Sequence, residues 1–305
     1  MANTIQYATK FQENLDKTMV QKSVTGWMEA NAGQVKYDGG KEVKIPKIST
    51  NGLGNYDRSN NKNGYPTGAI DFGYETFTMK YDRGREFLFD AMDVNETNFG
   101  VTAGSVMSTF QNEHVVPEVD ALRISTLASI AVENGQTISD KGKKGTEAIK
   151  DAITQIREAG FEGELVVHCT YEYKNKIEKE LMGVISPINF AASKDGVTTQ
   201  VPSIDGCPLI ATTSNRMVSK IKLLDGKTSQ QEQGGFEKAE DAKDINFIVI
   251  ARSVPIAVSK TDKMRIFDPD TYQGSNAWKC DYRKYHDVWV MENKRKGVIV
   301  CLKDK

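Results

Sequence analysis

The sequence contains 305 residues, 39% of them hydrophobic and 9% aromatic, an ordinary composition for a folded globular protein. Lysine and arginine total 40 against 41 aspartate and glutamate, and the net charge of −1 argues against nucleic acid as the main ligand. No apolar run approaches the ~18 to 20 residues of a membrane span, and the polar residues 1–17 lack the apolar centre of a signal peptide. We therefore expect a protein that is made and kept in a cytoplasm, without membrane contact.

The first 37 residues form a mixed arm. Phe11, Leu15 and Trp27 recur at helical spacing, but they stand among Gln, Asn, Lys and Thr and are sparse. Helices shorter than ~12 to 15 residues are marginal without a surface to pack on. The arm is therefore predicted to lie on the main body of the protein or on another subunit.

Alternating apolar and polar residues predict two strands, at 42–48 and 74–81. Pro46 lies inside the first, as in edge or bulged strands. The residues between them, 49–68, are rich in Gly and Asn, and a connection of about twenty residues without its own structure is typical of a binding loop or a disordered one. Together these segments predict a long two-stranded ribbon.

The ribbon has two interpretations. It can project from the body and be stabilised by a neighbouring chain, with Tyr56, Arg58 and Tyr65 as the contacts, because an isolated hairpin is marginal in water. Alternatively, it is an unstructured surface insertion. Composition alone does not decide between them.

The longest helical pattern lies within 82–134, after a charged and aromatic lead-in. Apolar residues from Phe99 to Ala131 recur near the 3.6-residue period. Pro117 cannot donate a helical hydrogen bond, so we expect a kink or two abutting helices there, with Pro117 in the first turn of the main helix. Asn134 and Gly135 end it.

The rest of the chain alternates between helices and strands. The predicted helices lie at 146–159 and at 170–181. The predicted strands lie at 164–169, 206–211, 245–251, 254–258 and 264–267, followed by a terminal hairpin of 282–291 and 297–302. The segments 186–203 and 227–243 are expected to be loops, and a sharp turn is expected at Asp205 and Gly206.

Each set of residues capable of catalysis or ligand binding favours a structural role. Because adjacent strand residues point to opposite faces, His168 cannot activate Cys169 directly. Asp281, His286 and Asp287 flank a strand rich in Tyr and Trp, where salt bridges or hydrogen bonds are more common than metal binding or catalysis.

Two further patterns point the same way. The Gly and Lys residues of 140–146 lack the spacing of a phosphate loop. Cys169, Cys207, Cys280 and Cys301 form no C-x-x-C pair, so we expect reduced, mostly buried thiols. The prediction is a non-enzyme without metal or cofactor.

The order of elements resembles that of the tailed-bacteriophage major capsid proteins of the Hong Kong 97 (Johnson) fold family, which encapsulins share. The order runs from arm to ribbon, charged link, long helix, helix–strand–helix, apolar strand and terminal strands. Three segments carry the likeness most specifically: 82–93, 203–210 and 282–290. The resemblance covers nearly the whole chain and implies an α+β fold.

The domain boundaries that the resemblance implies follow the same order. They are an N-terminal arm at 1–41, an extended β-ribbon (E-loop) at 42–82, a P-domain with the spine helix at 83–134, an axial A-domain at 135–278, and returning P-domain strands at 279–305.

The resemblance also implies the function, a shell protein that self-assembles as hexamers and pentamers into an icosahedral container for double-stranded DNA, which it contacts non-specifically. Location in the virion capsid, assembly in the host bacterial cytoplasm, a separate scaffolding protein and a portal are implied with it. The implied subunit contacts are Tyr56, Arg58, Tyr65, Asp71, Arg83, Arg85, Glu86 and Asp90, with Phe11, Leu15 and Trp27 in the arm.

Covalent cross-linking is not implied, because Tyr74 stands near the place where cross-linked members carry a ribbon Lys, and Lys62 lies at the tip. The alternatives are an encapsulin-type compartment and, from another class, a soluble α/β enzyme using His168, Cys169 or His286.

Overall fold

The computed structural model describes residues 23–34, 42–59, 64–92, 103–180, 186–191 and 198–303. Phe11, Leu15 and Lys62 lie outside these residues. The chain divides into two compact units, Gly33–Met79 and the remainder.

The described helices are α1 (Ala103–Phe110), α2 (Val116–Glu133), α3 (Gly145–Glu158) and α4 (Tyr171–Glu180), and a π turn (Gln111–Val115) joins α1 to α2. The described strands are β1 (Glu42–Thr50), β2 (Ile70–Thr78), β3 (Tyr81–Asp90), β4 (Thr137–Ile138), β5 (Leu165–Thr170), β6 (Ser186–Ala191), β7 (Thr198–Ile204), β8 (Cys207–Thr212), β9 (Ile221–Leu223), β10 (Phe236–Lys238), β11 (Ile245–Ala251), β12 (Ile256–Phe267), β13 (Ala277–Trp289) and β14 (Val298–Leu302). Short 3₁₀ segments lie at Gly26–Gln34, Ser214–Arg216 and Glu292–Gly297.

The smaller unit is the predicted ribbon. β1 and β2 pair antiparallel from Glu42↔Thr78 to Thr50↔Ile70. The second strand therefore begins four residues earlier than its predicted start at residue 74. It also ends earlier, at Thr78, because Tyr81 belongs to the next strand.

The larger unit is built on a seven-stranded sheet with the order β4-β14-β11-β5-β8-β7-β6. Its central strands, β5 and β11, read as continuous apolar runs, as strands covered on both faces do. All six residues of β5 are buried. The stripe Ala148, Ile149, Ile153 and Ile156 of α3 is buried in the same core, which also contains Trp27 of the arm.

A three-stranded sheet with the order β12-β13-β3 forms a second layer. Met107 of α1, Val115 of the π turn and Val119 of α2 pack with Cys280 and Tyr282 of β13, giving a separate apolar cluster. The aromatic residues of β3 extend this cluster, since Phe87 and Phe110 meet edge to face at 4.9 Å.

The prediction at Pro117 is confirmed. Pro117 occupies the first turn of α2, directly after the π turn. In that turn the N–H of Val116 donates to the carbonyl of Gln111, five residues back. The wider turn accommodates a proline that can neither donate to residue 113 nor pack tightly against it. The helix ends as predicted, with Gly135 at φ +70°.

Four secondary-structure predictions are wrong. The loop expected at 227–243 contains β10, and pairing explains the next two errors. Residues 186–191 and 198–203, expected in a loop, are strands, because β6 and β7 pair there, with Pro187 opposite Pro202. Pro187 is tolerated because β6 is the edge of its sheet. β12 is one strand rather than two, and a bulge between Ser259 and Thr261 interrupts the alternation that would have revealed it.

The fourth error concerns the chain end, and β3 was not predicted at all. The charged residues of 81–90 form β3, whose alternation places Arg83 and Arg85 on the face that Phe87 also occupies. The predicted terminal hairpin does not form, because β13 pairs with β12 and β3 whereas β14 pairs with β11 and β4. The domain boundaries stay a prediction.

Candidate subunit-interface surfaces

The ribbon exposes large apolar side chains, whose contact with water is unfavourable in free energy. Ile48, Ile70 and Leu53 are 65%, 77% and 107% exposed. Phe72 and Tyr74 are also exposed, and their rings meet edge to face at 5.0 Å. These five residues are called the apolar ribbon surface below. Ile48 lies opposite Phe72, and Ile70, Phe72 and Tyr74 alternate along β2, so these four side chains share one face of the ribbon. Contiguous exposed apolar groups of this kind mark interaction sites.

The predicted ribbon contacts are all exposed. Tyr56 and Tyr65 pack edge to face at 4.8 Å across the far end of the ribbon, and the N–H of Asp57 donates to the carbonyl of Gly64. Arg58 and Asp71 are exposed as well. Their side chains are therefore accessible to a neighbour, and their role as contacts stays a prediction.

The four predicted contacts of the link lie on β3, and each has a partner in its own chain. Arg83 binds Glu118 through two hydrogen bonds of 2.7 and 3.0 Å. Glu86 pairs with Lys279 at 2.8 Å. Arg85 donates to the carbonyl of Glu232, and Asp90 accepts from the N–H of Met92. Contact of these residues with a neighbouring subunit stays a prediction.

Trp27 is the only predicted arm contact within the described residues, and it lies in the core of its own chain. Its side chain is 1% exposed, and its Nε1 donates to His168 Nε2 at 3.2 Å. Asp120 of α2 holds the preceding residues, since its carboxylate accepts from the hydroxyls of Ser23 and Thr25 at 2.7 and 2.6 Å. The segment 23–31 is therefore fixed on the body.

The residues of the enzyme hypothesis do not form a catalytic group. His168 Nε2 is occupied by the indole of Trp27, and burial lowers the pKa of His168 to about 3. Burial raises the pKa of Cys169 to about 12, so the nucleophilic thiolate is disfavoured. The prediction of a structural pair fits this geometry.

The residues of β13 behave similarly. Asp287 accepts from the N–H groups of Lys80 and Val288, while the ring of His286 lies 6.3 Å from that of Tyr81. Burial, with positive charges nearby, holds the pKa of His286 well below its ordinary value. Within the part of the chain that the structure describes, no group of three or more side chains is arranged to bind a metal, and no helix is long and apolar enough to cross a membrane.

The segment 140–146 is not available to a phosphate. The first N–H groups of α3, those of Gly145 and Thr146, already donate to the carboxylate of Glu180 at 2.9 and 3.1 Å. Glu180, from the end of α4, thus occupies the anion position at this helix N-terminus. Backbone hydrogen bonds to this carboxylate help hold its pKa below the ordinary value.

The apolar ribbon surface is the candidate interface that sequence reasoning missed in part. Phe72 and Ile70 precede the segment in which the second strand was recognised, and Ile48 ends the first. The signal was present, because Ile70, Phe72 and Tyr74 alternate with other residues. Gly73 within that alternation obscured the pattern.

Comparison with known proteins finds no matching family model and no matching curated protein. It does find solved structures with the same fold at probability 1.00. The fold class is therefore the Hong Kong 97-like capsid fold, and that prediction is confirmed.

Three structures illustrate the likeness. The capsid of cyanophage P-SCSP1u matches with a TM-score of 0.58 and 12% identity over 86% of this chain and 83% of that one. The mature capsid of bacteriophage PhiM1 matches with a TM-score of 0.56 and 11% identity over 87% of this chain and 82% of that one. A structure from Mycobacterium phage Che8 matches with a TM-score of 0.55 and 13% identity over 86% of this chain and 84% of that one. At these identities the likeness establishes the fold.

Proposed function

We propose that this chain is the major capsid protein of a tailed phage and self-assembles into the icosahedral shell around the DNA genome. The fold supports this, because the structures of PhiM1 and P-SCSP1u that share it are phage capsids. The role is structural rather than catalytic. A separate scaffolding protein, a portal, non-specific contact with packaged DNA and assembly in the host cytoplasm belong to the same proposal.

One observation carries the proposal beyond fold, and it is the apolar ribbon surface. Complete burial of a side chain such as Ile or Phe stabilises by about 1.5 to 3 kcal/mol, so leaving several exposed favours association. An exposed two-stranded ribbon is also marginal alone. When every subunit places the same ribbon on its neighbour, many modest contacts repeat through a symmetric assembly and become strong together.

The first experiment removes the connection between β1 and β2 at the end of the ribbon. Deletion of 52–68 is expected to leave a subunit that melts cooperatively and fails to form shells, judged by light scattering and negative-stain microscopy of chains co-expressed with the scaffold. Normal shells from the deleted chain would contradict the role of the ribbon.

A matched pair of substitutions sharpens the test. Tyr74 on the ribbon and Tyr171 on α4 are 60% and 59% exposed, so replacement of either by Lys exposes a similar charge at a similar site. Tyr74→Lys is expected to reduce assembly severalfold, and Tyr171→Lys to leave it near the wild-type level. Equal effects would show that exposed charge alone disturbs assembly.

The contents of the particles test the genome container against the encapsulin-type compartment. Nucleic acid inside shells isolated from infected cells supports the capsid. Protein cargo without nucleic acid supports the compartment.

A further inference from the structure

A cleft of about 180 Å³ opens in the larger unit between β3, the π turn and the loop 224–235 that joins β9 to β10. Arg83, Arg85, His114, Glu118, Lys284 and His286 are among its lining residues. π turns in helices occur often at functional sites. The charges in the cleft show what it can bind.

Two arginines enter the cleft from the same face of β3, and only one of them is neutralised. Arg83 binds both oxygens of Glu118 and also donates to the carbonyls of Leu224 and Gly235 at 2.8 and 3.2 Å. Arg85 donates to one backbone carbonyl, that of Glu232, at 3.1 Å. Among the described residues it forms no ion pair with a carboxylate.

The other carboxylate in the cleft wall is not available to Arg85. Asp225 accepts from the N–H groups of Lys227 and Thr228, both at 2.8 Å, and from the hydroxyl of Thr228. These hydrogen bonds lower the pKa of Asp225 to about 2, so it is an anion committed to its own loop.

The loop backbone is shaped around the Arg85 guanidinium. Gly226 and Gly234 have φ of +73° and +68°. A Cβ on Gly226 would lie 3.0 Å from Arg85 Nη1, and a Cβ on Gly234 would lie 3.5 Å from it. Glycine therefore permits both the turn and the close approach of the arginine. The Arg85 guanidinium is therefore held at the cleft wall by the loop backbone rather than by an opposite charge.

The cleft wall also contains a buried group without a partner. His286 is 2% exposed, and its Nδ1 has no hydrogen-bond partner among the described residues. The neighbouring Lys284 is 3% exposed and pairs with Asp262 of β12. Unsatisfied buried polar atoms are rare in folded proteins and call for a missing partner.

We propose that this cleft binds an oxyanion, a phosphate or a carboxylate, with the guanidinium of Arg85 as its charged donor. The planar fork of arginine matches the two oxygens of either group. The anion has two possible sources: a free phosphate, or an acidic side chain of another chain. The cleft is formed by one chain, so the proposal does not depend on shell assembly.

Titration of the purified full-length chain with inorganic phosphate and with succinate, at ionic strength matched by sodium chloride, tests the proposal. A saturable rise in melting temperature is expected with at least one of the two anions. Arg85→Gln is expected to weaken the binding about tenfold or more, because a charge-assisted bidentate contact is lost. Lys263→Gln, which removes an exposed cation of β12, is the matched control and is expected to change nothing.

Arg85→Lys serves as the second variant, because it retains the charge while losing the fork, and an intermediate affinity is expected. Phenylglyoxal labelling then identifies the source: protection of Arg85 in isolated chains only on addition of phosphate indicates the free anion. Protection in assembled particles without added phosphate indicates an acidic side chain of another chain. No saturable binding of either anion, or unchanged binding by Arg85→Gln, would overturn the proposal.

Discussion

Replacement of Asp120 by alanine tests how the segment 23–31 is held on α2. Asp120 is completely buried, and its two oxygens accept from the hydroxyls of Ser23 and Thr25, from the N–H groups of Val24 and Thr25, and from Arg216 Nη1 at 3.1 Å. Alanine removes every acceptor and leaves the donors and the positive charge of Arg216 without it.

The expected cost follows from the burial of this network. Removal of one partner from a buried charged pair costs about 3 to 5 kcal/mol, because the remaining groups stay desolvated without compensation. Asp120→Asn keeps one carbonyl acceptor and is expected to lose about 1 to 3 kcal/mol. Asp82 pairs with Arg283 at 2.6 Å, but both side chains are well exposed, so Asp82→Ala is expected to cost under about 1 kcal/mol.

Urea denaturation measures the free energy of unfolding, and hydrogen exchange by mass spectrometry locates the effect. Amide protection is expected to fall first in 23–31 of Asp120→Ala, since its N–H groups lose their acceptor. If Asp120→Ala lost no more free energy of unfolding than Asp82→Ala, or if hydrogen exchange in 23–31 were unchanged, Asp120 would not be the residue that anchors this segment on α2.

Two further predictions concern buried or capping groups. Glu180→Gln is expected to lower the urea midpoint by the equivalent of about 1 kcal/mol, because the charged cap of α3 is lost, whereas Glu178→Gln, in an exposed pair with Lys174, should cost under about 0.5 kcal/mol. His168 has a pKa of about 3 in the folded chain and ~6.5 when unfolded, so below pH 6.5 protonation favours the unfolded chain. The contribution of neutral His168 to the free energy of unfolding is therefore complete above pH 6.5 and is lost as the pH falls from 6.5 towards 3. Between pH 7 and 5 the wild type should therefore lose about 2 kcal/mol more than His168→Gln, measured by urea denaturation at each pH, and equal losses would contradict a neutral buried His168.

Local signals in the sequence were sufficient for the elements whose partners lie nearby. The turn at Asp205 and Gly206 was predicted from residue type, and both residues have positive φ, at 53° and 73°. The continuous apolar run of β11 predicted a strand covered on both faces, and Pro117 predicted the start of α2. Each of these features depends on residues within one turn or one strand.

The errors arose where distant residues decide the structure. β13 and β14 follow each other in the chain, and a hairpin was the local expectation. β14 instead pairs with β11, some fifty residues earlier, because its apolar run belongs in the central sheet. β3 was missed because the face that Phe87 occupies also carries Arg83 and Arg85, and the carboxylate that pairs with Arg83, that of Glu118, lies 35 residues further on. No local pattern contains that information.

The same reasoning affects how an interface is sought. Charged residues such as Arg83 and Glu86 were selected as contacts between subunits, but such side chains readily find partners in their own chain, as both do here. An exposed Ile70 or Phe72 side chain can form no ion pair or hydrogen bond within its own chain. Only its removal from water lowers its free energy. Exposed apolar residues on a ribbon therefore discriminate an interface better than surface charge does, and the residues of the apolar ribbon surface are the ones whose substitution should most affect assembly.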